Sequence, residues 1–326
     1  MKAGKYTDKL DRKLLSCGFE VNLRRLEFTL TRKCNSQCIH CQANASPLEN
    51  NVMEVKDAHS YLEETVAVSN LQSFMVFGGE PMLYPERVIA ILDKAHQLGI
   101  PKIEMITNGV WGKSKEQARK WAMKLKAAGL DDVNVSVDAF HVQFTPVEYP
   151  QNAASALLEA GVEDVKWNVA VVESIGAENE YDTTTSGILK KLEPVGIDAS
   201  FVRIIPVGRA TQNLYRFFQH KPLRGTCEGE PIIGNPLKNP DSICVEPSGS
   251  VDVCWNLSVG NAKETSLSRI IREYDWRKIP VIKTLAEDGP MGLMRLPWTK
   301  GFQFQEDNYI DKCHLCLEIR KTLKTH

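Results

Sequence analysis

The sequence predicts an α/β fold in which a partial (β/α)6 barrel of parallel strands is followed by a small cysteine-rich domain with a β-hairpin and a C-terminal helix. Three observations carry this expectation. Short apolar or alternating runs recur with helical patterns between them, and helix start and stop signals punctuate the chain as far as about residue 210. Beyond Arg209 this rhythm gives way to a Gly- and Pro-rich stretch with clustered cysteines. Parallel strands can be joined only by crossover connections, so a repeated βα pattern needs a parallel sheet with helices packed outside it. Six βα units are too few to close an eight-stranded barrel.

In chain order, the expected strands are Leu26–Leu30, Ser73–Phe77, Ile103–Thr107, Val133–Val137, Val165–Val172 and Phe201–Ile205. Helical spacing marks Val55–Val68. Pro85 opens Glu86–Leu98, which Gly99 closes; Ser114 introduces Lys115–Ala128, ended by Gly129; and Asn152–Ala160 ends at Gly161. The domain expectation is an N-terminal extension over 1–22, a barrel over 23–210 and an auxiliary domain over 211–326.

The 326 residues carry 40 basic and 41 acidic side chains, a net charge of -1, and the basic residues form no stripe, so nucleic acid is not an expected partner. The segment from Met1 to Lys13 is charged and lacks the apolar core of a signal peptide, and no later run of 18 apolar residues exists. A cytoplasmic protein without membrane contact is expected. Cysteines are grouped rather than spread, which in a reducing compartment points to metal sites instead of disulfides. Cys17 stands apart and reads as a free thiol.

The first group, Cys34, Cys38 and Cys41, lies in Thr31-Arg32-Lys33-Cys34-Asn35-Ser36-Gln37-Cys38-Ile39-His40-Cys41, directly after the first strand, where a parallel sheet presents its ligand-binding edge. A four-iron cluster normally takes four cysteines. Three on one loop leave one iron without a protein ligand, open to a substrate. The spacing Cys-x3-Cys-x2-Cys resembles the defining loop of the radical S-adenosylmethionine (SAM) superfamily, with His40 at the position the family fills with an aromatic or similar residue. The resemblance implies a [4Fe-4S] cluster in the barrel whose unique iron chelates the amino and carboxylate groups of SAM. One electron then cleaves SAM to methionine and a 5′-deoxyadenosyl radical. It also implies a reducing electron donor such as flavodoxin or ferredoxin.

Phe77-Gly78-Gly79-Glu80-Pro81 resembles the family's Gly-Gly-Glu-Pro motif, with Gly78 and Gly79 admitting a close backbone approach and Glu80 accepting from the SAM amino group. Weaker matches end later strands: Asn108 in Thr107-Asn108-Gly109, Ser136 and Asp138 in the segment that resembles the ribose-binding one, and Asn168 for the adenosine. Strand alternation would point Ser136 and Asp138 the same way. Arg203, in Arg203-Ile204-Ile205-Pro206-Val207-Gly208-Arg209, is expected to pair with the SAM carboxylate, in a stretch similar to the Pro-x-Gly-Arg segment of relatives with a C-terminal cluster domain. Asp138 and His141 put a carboxylate and an imidazole at the barrel mouth as catalytic acid or base.

Ile243–Cys254 reads as a hairpin with Ser248-Gly249 in the turn, and Cys313-His314-Leu315-Cys316 opens a final helix. This order, with Gly249-x4-Cys254, resembles the twitch domain, the short relative of the SPASM domain, and implies a second, auxiliary [4Fe-4S] cluster on Cys227, Cys254, Cys313 and Cys316. Neither Cys227 nor Cys244 has the family's usual spacing to Gly249. A turn of two or four residues pairs Cys254 with Ile243, turns Cys244 away and favours Cys227, whereas a turn of three reverses this. A four-cysteine zinc site is the alternative.

Relatives with such C-terminal domains oxidise or cross-link peptides and proteins, as ribosomal peptide maturases and anaerobic sulfatase-maturating enzymes do; others dehydrogenate small alcohols. Peptide or protein modification is the first expectation and small-molecule dehydrogenation the second, although the stretch before the first strand is too short for a separate peptide-recognition domain. An electron-transfer or zinc-binding module is the non-enzymatic alternative, and it has no use for Gly78-Gly79-Glu80.

Overall fold

The computed structural model describes residues 22–232 and 234–322; Cys17 and the charged start of the chain lie outside them. Six strands, β1 (Arg25–Thr31), β2 (Ser73–Gly78), β3 (Lys102–Thr107), β4 (Asp132–Ser136), β5 (Asp164–Val171) and β6 (Ala199–Arg203), pair in parallel and in sequence. Between them run α1 (Val55–Val66), α2 (Pro85–Gln97), α3 (Lys115–Ala127), α4 (Glu148–Glu159) and α5 (Glu180–Leu192). The expected α/β partial barrel is therefore present, with element ends shifted by a few residues. Gly99, Gly129 and Gly161 take the left-handed conformation at the ends of their helices, as capping requires.

The helix α5 has no counterpart among the sequence expectations, because Thr183, Thr184, Thr185 and Gly187 are weak helix formers. Its start is fixed by tertiary and capping bonds instead. Asn179 Oδ1 accepts from the Tyr181 and Asp182 amides, and the buried Asp182 carboxylate accepts from Val172, Glu173 and Ser174 N–H just past β5.

A parallel sheet covered on both faces is apolar on both. Here the strands alternate. Leu26, Phe28 and Leu30 of β1, Ile103 and Met105 of β3, and Val133 and Val135 of β4 are fully buried, in one core with residues of the helices. The intervening positions are polar: Arg25 bonds Glu27 at 2.6 Å and also reaches Glu104, and Lys102 reaches Asp132 at 2.6 Å. The concave face is thus built to line a polar interior.

The hairpin, β7 (Ser242–Val245) and β8 (Ser250–Cys254), is not set apart from the barrel. β7 pairs in parallel with β1, β8 and β9 (Leu257–Asn261) follow antiparallel, and the sheet order is β6-β5-β4-β3-β2-β1-β7-β8-β9. The last helix, Lys312–Lys321, is capped by Asp311, whose carboxylate accepts from His314 N–H. Among the described residues no helix is long and apolar enough to cross a membrane.

Buried Asn235 ties the loop before β7 to the hairpin: Nδ2 donates to the Ser242 and Val253 carbonyls, and Oδ1 accepts from the Asp241 and Ser242 amides. Each partner stranded in the interior costs about 1–3 kcal/mol, so Asn235→Ala is expected to lower unfolding free energy by about 2–4 kcal/mol in a denaturant titration. An unchanged midpoint would remove this staple.

Candidate active site and second thiol cavity

The loop after β1 is held from three directions. From β2, Gly79 N–H donates to the Thr31 carbonyl at 2.7 Å and Glu80 N–H to that of Lys33 at 2.9 Å. A Cβ at Gly78 would sit 2.3 Å from Thr31 O and one at Gly79 2.2 Å from Lys33 O, so both positions require glycine. From beyond β6, Arg209 Nε donates to the Cys38 carbonyl and Nη2 to that of Ala45, both at 2.8 Å, while its amide reaches Cys41 O. From β3, Asn108 Nδ2 bonds Asn35 Oδ1 at 2.8 Å and lies 3.7 Å from Cys34 Sγ.

Cys34, Cys38 and Cys41 face one cavity of about 120 Å³, also lined by His40, Gly78, Gly79, Asn108, Ser136, His141 and Arg209. Burial pushes the Cys34 thiol up to about 11, against the Ser36 N–H, and pushes Cys38 higher still. Without a cation these thiols resist ionisation; a bound metal reverses that balance. Three thiols on one loop, with amide and guanidinium donors around them, suit a cluster that keeps one position open.

Glu80 is fully buried and does not line the cavity. It accepts from Asn108 N–H, Thr107 Oγ1–H and Met82 N–H, which oppose the burial that pushes its carboxyl up to about 7. It braces the β2 and β3 ends from behind the wall. Asp138 is also enclosed: its oxygens accept from Phe140, His141 and Ala170 N–H and from the His141 ring at 2.9 Å. Burial alone would raise its carboxyl, but the His141 ring and the amide donors hold it at about 2, and Asp138 in turn raises His141. The expectation that Asp138 reaches a ribose or works as a free base is corrected, because its acceptors are spent on the Phe140, His141 and Ala170 amides and the His141 ring. His40 stacks on Phe140 with centroids 4.6 Å apart; burial lowers its ring to about 3, and its buried Nδ1 has no partner among the described residues. Ser136 and Asn168 are register partners, their side chains 3.4 Å apart.

A second cavity, of about 440 Å³, is lined by Cys227, Cys254, Cys313 and Cys316, with Lys312 and Arg320. Burial raises the thiols of Cys227 and Cys254, and pushes Cys313 up to about 12. Cys244 lies elsewhere, its Sγ 3.4 Å from Thr29 Oγ1. The hairpin has the three-residue turn, the alternative under which Cys244 is not turned away from Cys254. Pairing of Val245 with Val251 and the Glu246–Ser250 bond leave Pro247, Ser248 and Gly249 as a three-residue turn, which puts Cys244 and Cys254 on one side of the ladder. The two part along the strands: Cys244 sits against β1, whereas Cys254 ends β8 beyond a register shift after Asp252.

Residues 28–172 match the family described as the Radical SAM superfamily. Over these residues the chain carries a radical SAM domain. A probable GTP 3′,8-cyclase of Methanococcus aeolicus is 25% identical over 57% of this chain and 60% of its own, and a GTP 3′,8-cyclase of Moorella thermoacetica is 24% identical over 64% of each. The match thus spans roughly three fifths of the length of these curated relatives. The solved structure of histidine-tagged anSMEcpe with bound AdoMet aligns over 92% of this chain and 95% of its own with TM-score 0.53 at 14% identity, a likeness of fold.

A further expected residue, beyond the matched stretch, is misplaced. Arg203 pairs in register with Val171, which belongs to the outward core, and it is exposed on the edge strand β6, facing away from the cavity. The arginine at the cavity is Arg209, six residues further along the chain. Gly208 was the usable signal: a Cβ there would lie 2.4 Å from Gln42 O, so the chain must press against the cysteine loop at that point. Lys312 and Arg320 at the second cavity carried no signal, since cations in a last helix are ordinary. Arg209→Met, which removes two charge-assisted bonds worth about 1.5–3 kcal/mol each, is expected to lose first-site iron to a chelator at least about tenfold faster than wild type. Equal loss rates would exclude Arg209 from holding the loop.

Proposed function

We propose that this radical SAM enzyme abstracts hydrogen from a peptide or protein substrate and completes its oxidation with the help of an auxiliary four-iron cluster. The reading takes residues 23–210 as the catalytic barrel and 211–326 as a twitch-type domain. The observation that carries it is the convergence of Cys227, Cys254, Cys313 and Cys316 on one cavity. Four thiolates leave no metal position open, which suits storage of an electron rather than binding of a substrate. Zinc fits less well, because its four sulfurs crowd a single ion. Among the described residues, the group whose ligand atoms all lie within 4.8 Å of one another is His40, Asp138 and His141, not the cysteines.

When bound at Cys34, Cys38 and Cys41, a four-iron cluster supplies the electron that splits SAM into methionine and a 5′-deoxyadenosyl radical. The protein's part is placement. Gly78 and Gly79 let β2 strap the cysteine loop, Asn108 and Arg209 fix its two ends, and Ser136, with Asn168 behind it, and the Asp138-held His141 give the cavity a polar wall for the nucleoside. Val207 lines the second cavity and Arg209 the first, so a single short segment separates the two sites. Loss of a hydrogen atom and then of one electron and one proton is a two-electron oxidation, and that proximity gives the second electron somewhere to go. Among the described residues the outer edge of β6 has no strand neighbour, and it offers backbone donors and acceptors to an extended peptide. A small-molecule substrate is the second reading, favoured by the GTP 3′,8-cyclase names of the relatives.

Reduced, reconstituted protein given SAM is expected to release 5′-deoxyadenosine, and Cys34→Ala, Cys38→Ala or Cys41→Ala to release none. Normal release from any of the three would contradict the assignment, whereas stimulation by added GTP would transfer the substrate reading to small molecules. Wild type should hold about eight irons and Cys254→Ala about four, with Cys244→Ala like wild type. Loss of iron in Cys244→Ala but not in Cys227→Ala would exchange the ligands, and four irons with one zinc would end the auxiliary-cluster reading.

A further inference from the structure

Arg320 is the charge in the second cavity whose role the thiols alone do not explain. It lies on the last helix, is 7% exposed and lines the cavity that gathers the four cysteines. Its terminal nitrogens are committed: Nη1 donates to the Asn256 carbonyl at 2.7 Å and Nη2 to that of Trp255 at 2.6 Å. Those carbonyls belong to the two residues that follow Cys254, so the guanidinium is fixed against the turn that presents this thiol. Its Nε–H is buried and, among the described residues, has no partner. Asp252, the acid that feels its charge, is bonded instead by Ser250 Oγ–H at 2.6 Å.

A buried cationic N–H without an acceptor costs more than a neutral one. The cost disappears if an acceptor arrives with a group the chain does not itself supply. Resting on the auxiliary-cluster reading above, we propose that Arg320 Nε–H donates to a sulfur of the cluster held by Cys227, Cys254, Cys313 and Cys316, and that Arg320 thereby sets its reduction potential. Adding one electron makes a thiolate-bound cluster more negative, so a donated N–H and a nearby positive charge stabilise the reduced form more than the oxidised form and raise the potential. Lys312, the other cation lining the cavity, spends its Nζ on the Thr226 carbonyl at 2.9 Å and serves as the control.

The experiment is a dithionite titration followed by EPR on holoenzyme, with iron counted in each sample. Arg320→Met should keep about eight irons and shift the auxiliary couple at least about tenfold toward oxidised, roughly 59 mV more negative for one electron; Lys312→Met should shift it less. Full iron with an unchanged potential in Arg320→Met overturns the proposal alone. A wild-type content of about four irons removes the auxiliary cluster, and the proposal with it. If Arg320→Met fails to hold iron, wild-type protein labelled with 15N-arginine decides: a 15N coupling on the reduced auxiliary cluster supports the Nε–H donor, and its absence overturns it.

Discussion

The mouth of the barrel depends on how closely the backbone at the end of β2 approaches the loop after β1. With Gly79 N–H on Thr31 O and Glu80 N–H on Lys33 O, the loop is in effect a further rung of the parallel ladder, and no Cβ fits between them. That contact fixes where Cys34 begins. Gly208 and Arg209 press on the other end of the same loop at Cys41 and Cys38. Three thiols on a loop clamped at both ends are placed before any metal arrives, which lowers the ordering cost of binding one.

The same clamp explains the buried acids. Glu80 and Asp138 look from the sequence like groups for contacting a ligand, yet each is enclosed and takes its bonds from backbone and neighbouring side chains. Their work is to hold a strand end in place: Glu80 joins the ends of β2 and β3, and Asp138 joins the end of β4 to β5 and aims His141. The ligand-facing polarity comes instead from Asn108, Ser136, His141 and Arg209.

Strands and helices were legible because burial imposes a period. Leu26, Phe28 and Leu30 alternate with polar residues since one face of β1 meets helices and the other the polar interior where Arg25, Glu27 and Thr29 find partners, and Pro85, Ser114 and the closing glycines mark helix ends by backbone chemistry alone. The cysteine loop was legible because metal ligation fixes short spacings. What escaped was set by tertiary contact. The helix α5 forms against its own propensity because Asp182 is tied to the chain after β5. The choice between Arg203 and Arg209 turns on which face of an edge strand points inward, and the side of Cys254 turns on one residue more in a turn and a register shift. A period of two makes any single-residue slip reverse such an inference. That the hairpin continues the barrel sheet through β1 and β7 is a long-range pairing with no local signature.

On the function proposed above, the first site leaves one metal position open to SAM and the second leaves none. Mössbauer spectroscopy of 57Fe-reconstituted protein, recorded with and without SAM, addresses both halves at once. A change confined to about one iron of about eight on adding SAM, with the auxiliary signal untouched, is the expected result. Spectra that do not respond to SAM, or that respond in both clusters, would contradict it.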